Sequence, residues 1–471
     1  MPAVFVPYLA IALSIAHFVL AAGVTLHVLA HNRNPGSAVS WIGLAWLSPV
    51  VGSLLYLFLG INRVRRRARN RSVAAPEDPV VDASPGPASC EHLAGLELAA
   101  RRISRREVQP GNAVHLLANG DAAYPQMIAA IKSAATSIAL SSYIFRADEV
   151  GHEFIAALIG AHRRGVQIRV LIDGYGGGYL RSATYRRLHH ARVPVARFMH
   201  SALPWRMPFL NLRSHRKILC VDGRVAFTGG LNIGAENVLA RNPRHPVLDT
   251  HFRFDGPVVA QLCEAFAGQW FFTTGETLAG PAWFPRLEAV GDSLVRAITS
   301  GPDQDLEKIE MLVLEALACA RTSIRIMTPY FLPDDRIITA LALAAMRNVE
   351  VDIVLPVHSN HPTVDWASRA HIGPLLAAGC RIWTRKPPFD HSKLMAVDGI
   401  WCLVGSANWD MRSFRLNFEI NLEVYQSLIV EQVSAKIAAN QTTRLLQADL
   451  DRRSLPSRLR DNAAHLMLPY L

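Results

Sequence analysis

The run His215-x-Lys217-x4-Asp222 returns 176 residues later as His391-x-Lys393-x4-Asp398. Each copy is followed at the same offset by a glycine-led tail: Gly229, Gly230 and Asn232 after the first, Gly405, Ser406 and Asn408 after the second. A chain that repeats so long a pattern is expected to fold as two copies of one unit. The pattern also dictates local form. Apolar residues 218–221 and 225–228 flank Asp222-Gly223, which predicts two short strands joined at a turn, and residues 394–397 and 400–404 repeat the device about Asp398-Gly399. Residues i and i+2 of a strand share a face, so each His lies beside its Lys. The Asn beyond the returning strand can come back toward that face.

Chance is a poor rival explanation. With 18 His, and six Lys among 49 basic residues, one such motif is expected about 0.01 times in a random chain of this length. Where nearly every cation is written as Arg, Lys in both copies points to a need for a compact point charge. Histidine is one of the few side chains that can take a phosphoryl group covalently, and a second His can handle the protons. Two such units therefore suffice for one phosphodiester-exchanging site built from the chain's own halves.

At 471 residues the chain is long enough for two domains with accessories. Half of it is hydrophobic, high for a wholly soluble enzyme, and a net charge of +11 implies an anionic partner: phospholipid headgroups, nucleic acid, or both. The cysteines (Cys90, Cys220, Cys263, Cys319, Cys380 and Cys402) form no CxxC pair and no cluster with His at zinc spacing. Neither a disulfide scaffold, nor a metal, nor another cofactor is indicated.

Residues 4–30 are almost purely apolar and residues 41–60 contain no charge. Each run can cross a hydrocarbon layer of roughly 30 Å. The polar connection at 31–36 makes the pair a transmembrane hairpin, with Pro49 a site for a kink in the second span. A signal peptide fits the first run less well, because no cation precedes it and a second run follows. Arg63, Arg65, Arg66, Arg67, Arg69 and Arg71 follow the second run, against Arg33 alone in the turn, which places the rest of the chain in the cytoplasm. The expected division is a hairpin with its basic segment over 1–71, a linker over 72–107, and two domains over 108–290 and 291–471. Strand-like runs at 137–143 and 166–172 enclose a helical run at 153–164. Runs at 323–327 and 349–355 likewise enclose one at 334–347, with Tyr143 and Tyr330 in matching places after the first strand of each set. That order implies an α/β duplication with helices covering a largely parallel sheet.

The paired motifs resemble the phospholipase D superfamily. The runs Asn211-Leu-Arg-Ser-His-Arg-Lys217 and Gly405-Ser-Ala-Asn-Trp-Asp-Met-Arg-Ser413, with Asn417-Phe-Glu419 beyond, are similar to bacterial cardiolipin synthases in particular. The apolar amino-terminal pair followed by basic residues adds to the likeness. The resemblance implies duplicated phospholipase D-like domains, a mixed sheet flanked by helices, joined as one pseudo-twofold catalytic unit. It departs at Val247-Leu248-Asp249, where Trp-Arg-Asp would be expected. The implied catalytic residues are His215, Lys217, Asp222, His391, Lys393 and Asp398. By family analogy His215 is the nucleophile, forming a phosphatidyl-histidine, and His391 the acid and base; the residues alone do not order them. Asn232, Asn408 and Ser406 would bind phosphate, Glu419 and Asp249 would orient the imidazoles, and no metal is needed. Asp222 and Asp398, in the turns, would support the site rather than move protons. The implied activity is a phosphatidyltransferase of the bacterial inner membrane, most simply making cardiolipin from two phosphatidylglycerols with release of glycerol. A phospholipase D acting with water or other alcohols is the near alternative. A superfamily nuclease is the distant one, which the apolar spans disfavour. Met199, Trp205, Met207 and Phe209, with Trp270–Phe272 and Trp283–Phe284, make either a lip that dips into lipid or an interdomain core.

Overall fold

A computed structural model describes residues 5–31, 35–57, 91–179, 181–200, 212–303, 305–425 and 427–466. The described residues fall into two compact units, one holding those up to residue 57 and the other those from residue 91 on.

In the first unit the apolar run forms one helix, Phe5–His31. Its stretch Ile11–His31 is long and apolar enough to cross a membrane, and is the one such helix among the described residues. The second apolar run differs from expectation. Its helix starts at Pro35, where a proline's missing N–H costs nothing, and stops at Leu47; a new helix runs from Pro49 to Leu55. Ser48 leaves helical geometry at φ −145° because the residue before a proline is crowded out of the α region. The two pieces pack on the first helix through Val24, Val28, Ala45 and Tyr56, and the Trp46 indole donates to Thr25 Oγ1 at 3.1 Å. The arginine cluster at 63–71, and Trp205, Met207 and Phe209, lie outside the described residues.

The second unit is organised by one continuous sheet. Seven strands belong to the first half: β1 (Gln109–Ala118), β2 (Ser137–Ser142), β3 (Gln167–Asp173), β4 (Val195–Phe198), β5 (Ile218–Val221), β6 (Val225–Gly229) and β7 (Thr250–Asp255). Seven belong to the second: β8 (Ser293–Ser300), β9 (Ser323–Met327), β10 (Glu350–Pro356), β11 (Arg381–Arg385), β12 (Leu394–Val397), β13 (Trp401–Gly405) and β14 (Asn417–Tyr425). Across the sheet the order is β11-β10-β9-β12-β13-β14-β8-β1-β7-β6-β5-β2-β3-β4, with a short strand at Thr443–Leu445 beyond β11. The order reads the same from either end, so the antiparallel β1·β8 contact marks the pseudo-twofold. The strand–helix–strand units were read at the right places, with helices Glu149–Arg163 and Asp335–Met346 between the parallel pairs β2·β3 and β9·β10. A largely parallel sheet is nevertheless corrected. The hairpins insert antiparallel strands between each parallel set and the centre, and most strand pairs are antiparallel.

Each half packs its own core: Ile138, Phe154, Val170 and Phe227 in the first, Ile326, Leu341, Ile353 and Trp401 in the second. Trp270 and Trp283 are buried, so these two aromatics are core, and the Phe272 ring lies tilted beside those of Phe198 and Phe418 at 5.8 and 6.3 Å. The linker reading of 72–107 fails over 91–104. There a 3₁₀ turn leads into helix Ala94–Ser104, whose Leu96 and Ala100, with Leu93, pack against Ile309, Leu312 and Ala316 of the second half. The spacing 93, 96, 100 is one helical face, hidden in an alanine-rich stretch beside the Pro-rich segment.

Candidate active site

The hairpin turns form as the Asp-Gly pairs require. Asp222 and Gly223 have φ 53° and 60°, and Asp398 and Gly399 have 54° and 69°. Positive φ at both central residues is the type I′ signature, which Asp tolerates and Gly prefers. The two carboxylates then face the loops before β2 and β9. Asp222 accepts from the N–H groups of Ala135, Thr136 and Ser137 at 2.7–2.9 Å, and Asp398 from those of Arg321, Thr322 and Ser323 at 2.8–2.9 Å. His92 adds a contact to Asp398 at 3.0 Å. Seven residues of extended chain, about 20 Å, separate each Asp from its motif His. Both carboxylates are therefore loop clamps at the ends of the strands away from the imidazoles.

At the opposite ends of these strands the two halves exchange backbone. Arg213–Ser214 pairs in parallel with Asn417–Phe418, and Val247–Leu248 pairs in parallel with Phe389–Asp390. The exchange continues into the motif histidines: His215 N–H donates to Phe418 O at 2.9 Å and His391 N–H to Leu248 O at 2.7 Å. Carboxylate partners consequently come from the opposite half. His215 Nδ1 lies 3.1 Å from Glu419 and His391 Nδ1 lies 2.9 Å from Asp249. The imidazole centroids stand 6.4 Å apart, nearly perpendicular at 79°. With each Nδ1 engaged, Nε2 is the nitrogen left to each ring for chemistry.

The surroundings of the two rings differ. His215 Nδ1 faces a second acceptor, Ser406 O at 3.0 Å. A nitrogen facing two acceptors carries the proton, so Nε2 of His215 holds the lone pair. His391 Nδ1 faces the Asp249 acceptor and also the Lys393 ammonium at 2.8 Å. Lys217 Nζ donates to His215 O at 2.7 Å, and Lys393 also donates to His391 O. His215, Lys217 and Lys393 are buried, and His391 is slightly more open. Burial pushes Lys217 down to about 7 and Lys393 to about 8, against the pull of Glu419 and Asp249. Burial also lowers His215, opposed chiefly by Glu419; His391 falls to about 3 because Lys393 adds to burial. Burial would raise Glu419 and Asp249, but His215 and Lys217 outweigh it at the first, and Lys393 and His391 at the second, holding both carboxylates below their usual range.

Ser406 is not placed to bind phosphate. Its hydroxyl donates to Glu419 Oε2 at 2.5 Å and accepts from Ile420 N–H at 3.0 Å, and the side chain is fully buried, so it secures the carboxylate. Asn232 Oδ1 accepts from Ile144 N–H at 3.1 Å, next to Tyr143, whose ring lies 5.0 Å from that of His215. Asn408 is buried with Oδ1 lacking a partner among the described residues, as expected of an amide kept for a ligand. Tyr330 flanks His391 at 6.0 Å, matching Tyr143. Among the described residues no group of His, Cys, Asp or Glu is arranged to hold a metal ion.

Sequence reasoning missed Arg216, between His and Lys in the first motif. Its buried guanidinium donates to Glu419 O at 3.0 Å, where the second motif carries Ser392, bonded across the halves to Thr250 at 2.7 Å. Its sequence signal was its position inside the motif. The unexpected Val247-Leu248 is explained by the backbone exchange: its pairing with the second half runs through main-chain atoms, and only Asp249 contributes a side chain to His391.

A family described as cardiolipin synthase, PLD-like domain, matches residues 127–267 and 313–440, and one described as phospholipase D-nuclease N-terminal matches 19–60. The chain is 34% identical to the cardiolipin synthase of Geobacillus kaustophilus (strain HTA426) over 412 residues, 85% of this chain and 82% of that protein. It is 31% identical to cardiolipin synthase 1 of Bacillus cereus over 469 residues, 95% of this chain and 92% of that one. Phosphatidylserine synthase from Haemophilus influenzae Rd KW20 shares the fold, with a TM-score of 0.59 at 13% identity over 80% of this chain and all of that structure. With its duplicated sheet, crosswise histidine–carboxylate pairs and these matches, the chain belongs to the bacterial cardiolipin synthase family of the phospholipase D superfamily.

Proposed function

We propose that this protein is a membrane-bound phosphatidyltransferase that makes cardiolipin from two phosphatidylglycerols and releases glycerol. The observation that carries the division of labour is the unequal surroundings of the two Nδ1 atoms. His215, with Nδ1–H held by Ser406 O and Glu419, presents a lone pair on Nε2 and is the nucleophile. His391, with a donor and an acceptor both at Nδ1, can carry its proton on either nitrogen and suits the acid and base. In the first step Nε2 of His215 bonds to phosphorus, the bond from phosphorus to the glycerol oxygen breaks, and His391, protonated once the phosphodiester's negative charge is beside it, gives that oxygen a proton and becomes neutral. In the second, the acceptor hydroxyl gives its proton to His391 as its oxygen bonds to phosphorus, and the phosphorus–nitrogen bond breaks. Lys217 and Lys393, with Asn232 and Asn408, would hold the non-bridging oxygens as charge builds on them. The phosphodiester's own charge stabilises both ammonium groups, so its arrival restores protons that burial disfavours.

The apolar helices and Arg63–Arg71 support a hairpin anchor with both chain ends in the cytoplasm. A reporter fused after Leu471 is expected to behave as cytoplasmic and one inserted at Asn34 as external; an external Leu471 fusion would refute that placement. The function itself is tested with purified protein in detergent, given phosphatidylglycerol alone and with phosphatidylethanolamine, and the lipid products separated. Cardiolipin with stoichiometric glycerol is expected from the first mixture. Phosphatidic acid as the sole product would instead make the enzyme a hydrolase.

A further inference from the structure

The two tyrosines that flank the catalytic histidines have unlike surroundings. Tyr143, beside His215, is packed against the loop that follows β3, where a Cβ added at Gly176 would stand 2.7 Å from its ring. Tyr330, in the matching place beside His391, borders a cavity of about 270 Å³. The other walls include Phe331, Leu355 of β10, Ile382 of β11, Val364 of helix Pro362–His371 and Leu450 of helix Gln447–Asp451. Tyr330 is the wall shared with the catalytic site. Its ring stands 6.0 Å from that of His391 and 6.2 Å from that of Phe389, and its hydroxyl donates to Asn360 Oδ1. The charged residues around the cavity are spent on the backbone or on one another. Asp365 accepts from Ser359 N–H at 3.0 Å, Asp449 from Leu446 N–H at 2.9 Å, and Arg453 pairs with Asp461 at 2.7 Å. Asp365 and Asp461 act on Arg369 as counter-charges. What the cavity offers a guest is chiefly apolar surface.

The carboxy-terminal segment that supplies Leu450 also turns apolar side chains outward. Leu446 is exposed, and helix Leu455–His465 buries Asp461 and Ala464 while exposing Leu455 and Leu459 one turn apart. Leu466, seven residues beyond Leu459, is exposed on the same face, and Arg452 and Arg458 are exposed nearby. Leucines flanked by guanidiniums suit the surface of an anionic bilayer, so a lipid chain has an apolar edge to follow toward the cavity. Position in the reaction says whose chain it is. His391 serves the oxygen that leaves phosphorus in the first step and the one that arrives in the second, opposite the bond to His215. The space beyond His391 therefore belongs to the alcohol. The departing glycerol carries no acyl chain. An acceptor phospholipid does, and Tyr330 stands between His391 and the cavity.

We infer that the cavity bordered by Tyr330 receives an acyl chain of the acceptor phospholipid and so makes a lipid a better acceptor than free glycerol. The inference rests on the phosphatidyltransferase reading above. It is tested in detergent micelles of phosphatidylglycerol containing labelled glycerol. Cardiolipin then reports transfer to an acceptor with acyl chains, and labelled phosphatidylglycerol reports transfer to one without, through the same covalent intermediate. Val364→Phe and Leu450→Phe fill the cavity from two walls at half-buried positions. Each is expected to lower the ratio of cardiolipin to labelled phosphatidylglycerol about tenfold, as if about two methylenes of the acceptor lost their burial. Loss of folded enzyme lowers both products together, so the ratio reads the enzyme that remains folded. A ratio unmoved in both variants overturns the inference, whether the cavity then holds the donor's chain or no lipid at all. A phosphatidylglycerol carrying a diazirine in mid-chain, photolysed on the unmodified enzyme, is expected to label peptides that hold Val364 or Leu450; label confined to other peptides also overturns it. If the unmodified enzyme forms labelled phosphatidylglycerol but no cardiolipin, the reading as a cardiolipin-forming enzyme falls, and the acceptor site with it.

Discussion

The two halves of the catalytic unit share their strand order yet treat their histidines differently. Around His215 a carboxylate, a carbonyl and a buried serine fix one tautomer, with Arg216 bracing Glu419 from behind. Around His391 a lysine competes with the carboxylate for the same nitrogen. Duplication supplies the scaffold for two imidazoles facing each other, and the local substitutions then give the pair unequal roles. The cheapest way to divide acid from nucleophile in a symmetric fold is to change what Nδ1 touches.

The most severe test removes each histidine in turn. His215→Ala is expected to lower turnover by roughly 10⁴-fold or more and to abolish any lipid-labelled enzyme. His391→Asn is expected to slow turnover comparably yet let a labelled intermediate persist, since only the proton donor is lost. Label trapped with labelled phosphatidylglycerol and resolved on a denaturing gel decides the matter. Label that survives without His215 and disappears without His391 reverses the assignment.

Removing the carboxylates probes the same contrast one contact further out. Glu419→Gln and Asp249→Asn are each expected to cost about 10²–10⁴-fold in kcat, by analogy with other orienting carboxylates. Glu419→Gln is expected to be the worse of the two, because it disturbs His215, Ser406 and Asn417 at once. An equal loss in both would remove the asymmetry argued here. The lysines add a pH signature. In the substrate-free enzyme both ammonium groups titrate at about 7 and about 8, so kcat/KM is expected to fall as pH rises through that range while the imidazoles stay neutral. The stability sign is opposite. Their folded pKa values lie below the unfolded value, the unfolded chain binds more protons above neutrality, and stability from these groups rises with pH there. Lys217→Met is thus expected to raise Tm while abolishing activity.

What was legible in the residues follows from range. The hairpins, the i and i+2 pairing of His with Lys, and the strand–helix–strand units all depend on neighbours within a few positions, and each is where the pattern put it. Glu419 and Asp249 could be picked as imidazole partners by position, but their crosswise pairing spans 204 and 142 residues and is decided by the order of strands in the sheet. Helix Ala94–Ser104 was missed for the same reason, since its apolar face is matched only by the second half's core. Ser406 was misread because its hydroxyl has the chemistry of a phosphate ligand, and only burial beside Glu419 shows where that hydroxyl is spent.

The loop clamps compare the halves at their outer ends. Asp222→Asn and Asp398→Asn are expected to lower stability by about 1–3 kcal/mol through lost charge-assisted hydrogen bonds, while the folded fraction keeps its kcat. Asp398→Asn is expected to cost more, because it alone also loses His92 and with it a tie to the segment before the first half. Burial would raise both carboxyls, but the clustered N–H donors outweigh it and hold them below the usual range. Their contribution is therefore present above the unfolded carboxylate pKa and is lost as pH falls through the folded one. A thermal melt series from pH 7 to 3 on both variants and the parent reads it directly, and variants that melt like the parent at pH 7 would refute the clamp.

The smallest effect is expected at Val247-Leu248, where the family resemblance implies Trp-Arg. Val247→Trp with Leu248→Arg would install the expected Trp-Arg before Asp249. Both positions are half-buried, and their link to the second half is main-chain pairing with Phe389 and Asp390 and the bond from His391 N–H to Leu248 O. Replacement side chains leave those bonds in place, so kcat for cardiolipin formation is expected to stay within about twofold, the range of surface substitutions away from named features. Leu248→Pro needs separate treatment, since it keeps the carbonyl but restricts φ and removes an N–H in a two-residue strand. It is expected to displace Asp249 and cost activity on the scale of Asp249→Asn. The contrast separates two accounts of how this stretch serves His391. If the double variant loses activity while retaining the parent's melting temperature, side chains at 247 and 248 shape the His391 mouth. If only the proline is harmful, the stretch acts through its backbone, delivering one carboxylate across the pseudo-twofold.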